Sequence, residues 1–378
     1  MIAMRATRAL INRQNFKHNL LSVRKLTKTG TKLCLAVKAD GYGHGAVEIS
    51  KAALNAGTDY LAVAAVCEAE ELRDNGITAP LILLSPVLPE EITSLAALNL
   101  EAIVSTSEEI QMFAAAGGKN KLAVHLKIDT GMGRIGCRAD QAPDLARMIS
   151  KTPGIVLAGV CSHFPVSDSR ACADIEYTKN QIKLFAKTVE GMKEAGIETG
   201  IIHAANSGAI LNYPESHFDM VRPGIFAYGY LPGGKKGLIR ELPQDLLPKP
   251  VMSLESRLMH IKKVPADTDI SYGRRYRTAE ETWIGTIPAG YADGYTRMLT
   301  NKAKILIEGH LYPVAGTVCM DQLMVDLGSE LRVKLYDRVI MFGSEEGAET
   351  AADLTAVTGT IPYELLCGIS KRVPRIFD

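Results

Sequence analysis

With 378 residues, 47% of them hydrophobic and 22% charged, the chain has apolar material for one large core or two domains, which excludes a disordered polymer. Its 43 basic and 42 acidic residues leave a net charge of +1, so composition gives no pull toward nucleic acid or an anionic membrane surface. Residues 1–21 lack the unbroken apolar core of a secretory signal and no stretch reaches the ~18 apolar residues that span a bilayer, so a cytoplasmic protein is expected.

A helix at about 14–27 opens the chain. From residue 32, short apolar runs alternate with longer amphipathic segments, the rhythm of βαβ units around a parallel sheet. Strands are expected at 32–38, 60–66, 80–84, 101–105, 122–129, 156–163, 200–205 and 219–222. Helices are expected between them at 46–56, 68–75, 107–116, 140–150 and 174–195. Eight such repeats fit an α/β fold of the (β/α)8 TIM-like barrel type. An open doubly wound sheet is the competing architecture, but Gly41, Gly43 and Gly45 do not have the spacing of a dinucleotide-binding turn. Pro, Gly, Lys and acidic residues cluster at 231–250, where a domain boundary is placed. Residues 1–244 are assigned to the barrel and 245–378 to a smaller, mostly β C-terminal domain. Strands there are expected at 254–264, 282–287, 303–307, 322–326 and 338–342, with helices at 351–358 and 362–370.

Active sites of such barrels lie at the C-terminal ends of the strands, where several polar residues are expected here. Lys38 ends the first run and opens Ala39-Asp40-Gly41-Tyr42-Gly43-His44-Gly45; Arg134 follows Asp129-Thr130-Gly131-Met132-Gly133; His163, Asn206, Ser207 and Arg222 end later strands. A lysine ending a buried strand either snorkels to solvent or is used chemically, as a Schiff-base amine with a lowered pKa. His163 reads equally as a satisfied core histidine, Arg134 as a rim salt bridge, Ser207 as a helix N-cap and Tyr272 as a rim aromatic in a turn. The seven cysteines (Cys34, Cys67, Cys137, Cys161, Cys172, Cys319, Cys367) form no C-x-x-C pair, so reduced core cysteines are expected, with neither a disulfide framework nor a metal site.

The segment Val37-Lys38-Ala39-Asp40-Gly41-Tyr42-Gly43-His44-Gly45 resembles the cofactor-lysine motif of the alanine racemases. Further segments follow in that family's order: Lys127 with Asp129-Thr130-Gly131-Met132-Gly133-Arg134, Ser162-His163-Phe164, His203-Ala204-Ala205-Asn206-Ser207, Val221-Arg222-Pro223-Gly224-Ile225, Ser271-Tyr272-Gly273, Gly290-Tyr291-Ala292-Asp293-Gly294, Cys319-Met320-Asp321 and Tyr363-Glu364. The likeness runs from about Thr7 to Phe377.

This resemblance implies pyridoxal 5'-phosphate held by Lys38, and interconversion of L- and D-alanine that supplies D-alanine for peptidoglycan. Its implied phosphate contacts are Tyr42, Ser207, Tyr363 and the amides of Gly224 and Ile225, with Asn206 a further cofactor-binding residue. Arg222 would face the pyridine nitrogen with His163 bonded to it, and Arg134 would meet the phenolic oxygen. Racemisation needs acid/base groups on both faces of a planar carbanion. The resemblance gives these roles to Lys38 and to Tyr272, the latter supplied by the partner of a homodimer with shared active sites. Arg134 and the Met320 amide would hold the substrate carboxylate, with Asp321 and Tyr291 at the substrate end and entrance. Lys127 matches a lysine carbamylated in many members; a plain Lys127–Asp129 ion pair is the alternative.

Two segments depart from the family pattern: Pro165-Val166-Ser167 after His163-Phe164, and Arg274-Arg275-Tyr276 after Tyr272-Gly273. They leave open the shape of the entrance and the range of substrate side chains. A racemase acting on serine or a broader amino-acid set is therefore a rival reading. A barrel-type amino-acid decarboxylase is another, but such enzymes generally carry an acid where Arg222 stands. A non-catalytic carrier of the cofactor would lack the β domain and its Tyr272.

Overall fold

The computed structural model describes residues 5–117, 121–234, 237–239 and 241–378. After β1 (Arg8–Ile11), the strands β2 (Lys32–Ala36), β3 (Tyr60–Val63), β4 (Leu81–Leu83), β5 (Leu100–Val104) and β6 (Leu122–Asp129) pair in parallel, each with the next. A two-residue strand, β7 (Cys137–Arg138), adds to the edge of β6. The order continues through β8 (Ile155–Cys161), β9 (Ile201–His203) and β10 (Met220–Val221), and β10 pairs back onto β2, closing an eight-stranded barrel. All eight expected barrel strands are present. They are short apolar runs because helices cover them outside and side chains such as Cys34, Ala62, Ile82 and Met220 fill the inside.

The first helix, Arg13–Leu26, shows how the outer layer attaches. Asn12 caps it by accepting the Asn15 N–H at 2.6 Å, and Phe16, Leu20 and Val23 recur at helical spacing and are buried. The barrel helices were anticipated within a few residues, but the short helix Ile92–Ala97 was not.

Beyond the barrel follow β11 (Met252–Arg257), β12 (His260–Val264), β13 (Asp269–Ile270), β14 (Tyr276–Arg277), β15 (Thr282–Ile287), β16 (Lys304–Ile307), β17 (His310–Pro313), β18 (Leu323–Gly328), β19 (Arg338–Phe342) and β20 (Arg375–Phe377). They form a six-stranded sheet in the order β17-β16-β19-β11-β1-β20, a three-stranded sheet β12-β15-β18 and the hairpin β13-β14. Three features differ from expectation. The single run at 254–264 is two strands in different sheets, broken at Leu258 and Met259, where Leu258 N–H still bonds the Asp337 carbonyl beside β19 but Met259 N–H turns to the Thr286 carbonyl of β15. The N-terminal strand β1 enters the β-domain sheet, antiparallel to β11 and parallel to β20, so the chain passes through that sheet before it builds the barrel. The cysteines are all free, but only Cys34, Cys137 and Cys161 are buried; Cys67, Cys172 and Cys367 are exposed because they fall on helix faces.

The helices Ala351–Thr358 and Pro362–Cys367 lie where expected. Residues 235, 236 and 240 of the boundary segment 231–250 lie outside the described residues. Among the described residues no helix is long and apolar enough to cross a membrane.

Candidate active site

A cavity of about 600 Å³ opens at the C-terminal ends of the barrel strands, within the range of small-molecule sites. Lys38, Tyr42, Lys127, Arg134, His163, Asn206, Ser207, Arg222, Gly224 and Tyr363 all line it, as does Cys367. Ile225 is buried beside Gly224 in the chain and does not reach the cavity wall.

Lys38 follows β2 by two residues and enters an unusual turn. Ala39, Asp40, Gly41 and Tyr42 all have positive φ (52°, 53°, 60° and 53°), one turn of left-handed helix. That handedness costs roughly 1–2 kcal/mol for each residue with a side chain, so surrounding bonds must hold it. They do: Glu68 accepts the Ala39 N–H at 2.6 Å, Asp40 accepts the Ala46 N–H at 2.8 Å, and Gly41 N–H returns to Val37 at 2.7 Å. Gly43 lets the turn press against the last helix, where a Cβ would lie 2.1 Å from the Leu366 carbonyl oxygen. Burial, then the Arg134 guanidinium, lowers the pKa of the Lys38 amine, against an opposing pull from Glu68.

Arg222 leaves β10 into the cavity wall and is almost fully buried. Its Nη1 donates to His203 Nδ1 at 2.5 Å, and its Nη2 to the carbonyls of Ser162 (2.7 Å) and Ala204 (3.0 Å). The expected partner His163 stands at a long 3.4 Å, while His203, seen in the sequence only as part of a motif, is the close one. Burial, then Arg222, pushes both imidazoles well below their ordinary pKa, so both are neutral at pH 7.

At the opposite side, Ser207 Oγ accepts the N–H groups of Gly224 (2.9 Å) and Phe226 (3.4 Å), which leaves its own proton to donate. Ser207 is not the helix N-cap; Asn206 is, accepting the Ala209 N–H at 3.1 Å. Asn206 also accepts Ser167 Oγ (2.8 Å) and donates to the Phe164 carbonyl (2.9 Å), so the departure at Ser167 serves to lock this corner. A Cβ on Gly224 would lie 2.9 Å from the Tyr42 hydroxyl. Among the described residues the hydroxyls of Tyr42 and Tyr363 have no hydrogen-bond partner, and their rings tilt together at 5.7 Å between centroids. These donors face a cavity that also holds two lysines and two arginines, a setting for an anion.

Lys127 is buried, and its pKa is pushed down to about 8 by burial first, with Arg222 and Arg134 adding repulsion. The alternative reading, an ion pair with Asp129, does not form, because that carboxylate accepts the N–H groups of Gly131 (2.8 Å) and Gly133 (2.9 Å) instead. Arg134 has no salt bridge among the described residues, so the rim-bridge reading does not hold.

Tyr272, Tyr291, Met320 and Asp321 line a different cleft, on the β domain, and none of them lines the barrel cavity. Tyr272 is 74% exposed, yet its turn is rigid. Ser271 (φ 66°) and Arg274 (φ 51°) are strained, while Gly273 between them takes φ 73° freely, and the turn is tied by Thr317 Oγ1 to the Tyr272 carbonyl and by Ser271 Oγ to the Thr317 carbonyl, both at 2.7 Å. Tyr291 and Met320 are fixed to each other: Tyr291 N–H bonds Cys319 and Ala292 N–H bonds Met320, each at 3.0 Å. Beneath them the fully buried Asp293 carboxylate pairs with Arg5 and Arg372, and Arg372 also reaches Asp321 at 2.7 Å. Sequence reasoning missed Arg5 and Arg372; nothing in their local pattern distinguishes them from solvated arginines.

Two family descriptions match the chain: "Alanine racemase, N-terminal domain" over residues 11–232 and "Alanine racemase, C-terminal domain" over 251–377. An alanine racemase of Treponema denticola is 47% identical over 99% of this chain and 98% of its own length, and one of Treponema pallidum is 44% identical over 99% and 100%. Among solved structures, the alanine racemase of Clostridium difficile superposes with a TM-score of 0.92 at 38% identity, covering 100% of this chain and 96% of that one. The Bacillus anthracis alanine racemase with bound L-Ala-P gives 0.90 at 33% identity, over 100% and 96%.

Proposed function

The chain belongs to the alanine racemase family and is an isomerase that interconverts L- and D-alanine with pyridoxal 5'-phosphate, and on that footing we propose which residues carry the reaction. One observation supports the assignment above the rest. The Lys38 amine, the buried Arg222 cation and the Ser207, Tyr42 and Tyr363 hydroxyls line a single cavity. These groups fit the cofactor: an amine for its aldehyde, free hydroxyl donors for its phosphate, and a permanent cation for its ring nitrogen. Lys38 would hold the aldehyde carbon, and Ser207, Tyr42, Tyr363 and Asn206 the phosphate end, with the Gly224 amide bonded to Ser207 and the Ile225 amide set back behind them. Arg134 would hold the phenolic oxygen, and His163 would sit beside Arg222. Bound there, pyridoxal phosphate supplies the conjugated system that takes up the electron pair left when alanine loses its Cα proton.

The Lys38 amine, its pKa lowered by burial, exchanges a proton with Cα on one face. The Tyr272 phenol serves the other face, reaching it from the β domain of a second subunit. The homodimer with shared sites rests on Tyr272 itself: a strained, tied-down turn holds an aromatic ring out in solvent, away from the cavity of its own chain. Residues 1–244 are thereby the main cofactor-binding part, with Tyr363 reaching the same cavity from beyond it, and 245–378 is otherwise the part that completes the partner's site. Arg222, always charged, disfavours a proton on the ring nitrogen, which limits side reactions and suits a simple proton swap. Arg134 and the Met320 amide hold the alanine carboxylate, with Asp321 and Tyr291 at the entrance. The fraction of Lys127 that is neutral, enlarged by its pKa of about 8, adds its lone pair to carbon dioxide and gives up an N–H proton to solvent, and the resulting carbamate anion steadies Arg134. We place the enzyme in the cytoplasm, feeding peptidoglycan synthesis.

The test is chiral analysis of each alanine enantiomer incubated in D₂O with the holoenzyme. Deuterium at Cα with inversion from both directions is expected. Retained chirality with carbon dioxide release would replace this reading with the decarboxylase.

A further inference from the structure

A polar chain crosses the barrel interior beneath the cavity. Arg222 Nη1 lies 2.5 Å from His203 Nδ1, His203 Nε2 lies 2.9 Å from His125 Nδ1, and His125 Nε2 lies 2.6 Å from the Glu101 carboxylate. Both imidazoles are fully buried, and the Glu101 side chain is 18% exposed at the start of β5, the end of the barrel away from the cavity. Donor chemistry fixes every proton along the line. A guanidinium only donates, so His203 Nδ1 must accept and His203 carries its proton on Nε2. His125 Nδ1 must then accept that proton, which leaves the proton of His125 on Nε2, aimed at a carboxylate that only accepts.

The fold gives up side-chain volume for this arrangement. The pairing of β6 with β8 shifts register between Val124 and His125, so that His125 stands opposite Gly159. A Cβ on Gly159 would lie 2.4 Å from His125 Nδ1 and 2.5 Å from the Ile201 carbonyl oxygen, so only glycine admits the ring. The two imidazoles meet nearly edge-on, at 76° and 4.9 Å between centroids. A buried guanidinium with no carboxylate in direct contact needs compensation from somewhere, and Glu101 is the carboxylate to which it is wired.

We propose that Glu101, acting through His125 and His203, is the counter-charge and orienting anchor of Arg222, a positioning residue for the group that faces the cofactor's ring nitrogen. This rests on the role given to Arg222 above. Each neutral imidazole, donating toward the carboxylate, becomes a better acceptor on its other nitrogen, so the negative charge of Glu101 is passed inward as a stronger bond at Arg222 Nη1. Among the described residues that bond and the two carbonyls leave one Nη1 hydrogen and the Nε hydrogen of Arg222 for the cavity.

Nitrogen-15 spectra of the histidine-labelled holoenzyme, with and without Glu101→Gln, test this. In the parent, His125 and His203 are both expected neutral, with Nδ1 unprotonated. The variant keeps shape and an acceptor oxygen but loses charge. It is expected to move the His203 Nε2 proton resonance and the absorption maximum of the bound cofactor, and to lower kcat about tenfold with KM for alanine within about twofold. A protonated Nδ1 on either parent histidine overturns the proposal, and so does a variant with unchanged cofactor absorption and unchanged His203. Should the variant not fold, the parent tautomers decide. A parent that racemises alanine but shows the wrong tautomers refutes the relay alone; one that does not racemise refutes the assignment of function whatever its histidines show.

Discussion

The barrel cavity and the β-domain cleft are built on opposite physical plans. The cavity is recessed, and two of its four cations are deeply buried: Lys127 and Arg222 are almost fully covered, Lys38 is half-buried on a left-handed turn, and Arg134 is exposed at the mouth. The cleft is open, with Tyr272, Met320 and Tyr291 exposed by 74%, 52% and 42% on turns that are themselves rigid. Among the described residues the buried cations Lys127 and Arg222 touch no carboxylate directly, and the aromatics of the cleft stand exposed on tied-down turns. Each region is thus preorganised for something its own chain does not supply, the cofactor in one case and, in the dimer proposed above, a second subunit in the other.

The sharpest way to break this contrast is to remove one group from each side. Lys38→Ala is expected to abolish racemisation, a loss of about a thousandfold or more, because it deletes both the attachment point and one base. Tyr272→Phe keeps the cavity intact and should bind cofactor normally while losing about a hundredfold in turnover. Mixing the two variants under conditions of subunit exchange should restore activity, since one site of a mixed dimer then carries neither lesion. Measured by coupled D-alanine oxidation, no recovery would mean that Tyr272 does not act across subunits.

Those two residues also mark how far the sequence was legible. The barrel strands could be read directly, because a parallel strand covered on both faces is a mostly apolar run, and β2–β6 and β8–β10 are. The strands β1 and β20 could not: they have four and three residues, and what makes them strands is a sheet assembled from the two ends of the chain. Ser207 was misread as a cap by one position, since Asn206 and Ser207 are both good capping residues and only the structure shows which oxygen takes the Ala209 N–H. Glu101 and His125 sit inside apolar strands with nothing local to mark them as inward-facing; the register of β5 against β6 makes them neighbours. Tyr272 carried a role only through family likeness, because a tyrosine in a glycine turn is otherwise unremarked.

Lys127 offers a pH test of the buried plan. Its folded pKa, about 8, lies below the ordinary lysine value of 10.5, so the unfolded chain binds more protons between those limits. Below about pH 8 the full penalty for burying the charged amine applies, and stability rises with pH above it, by roughly 3 kcal/mol at most. In carbonate-free buffer, urea midpoints should therefore climb from about pH 8 to 10. Bicarbonate added near pH 7 should raise the midpoint if the amine is carbamylated, and Lys127→Met should remove both effects.

A smaller lesion probes the anion end. Gly224→Ala pushes a methyl against the Tyr42 hydroxyl, where a Cβ would sit at 2.9 Å. Overpacking of this size should weaken cofactor retention about tenfold, read by dialysis and absorbance, with little change in melting temperature. Equal retention would mean that the Tyr42 hydroxyl does not face the bound group.

The smallest expected effect lies in the cleft and is the most diagnostic of its plan. Asp321 is exposed and shares Arg372 with the buried Asp293, so in the isolated subunit its ion pair is worth less than about 1 kcal/mol. Asp321→Asn should leave Arg372 held by Asp293 and barely move the unfolding midpoint. If the cleft closes over a partner's cavity, however, the same carboxylate loses water in the dimer and borders the path of a charged amino acid. KM for alanine should then change severalfold while kcat and stability do not. A variant in which stability falls and KM holds would place Asp321 in the scaffold of its own domain and remove it from the entrance.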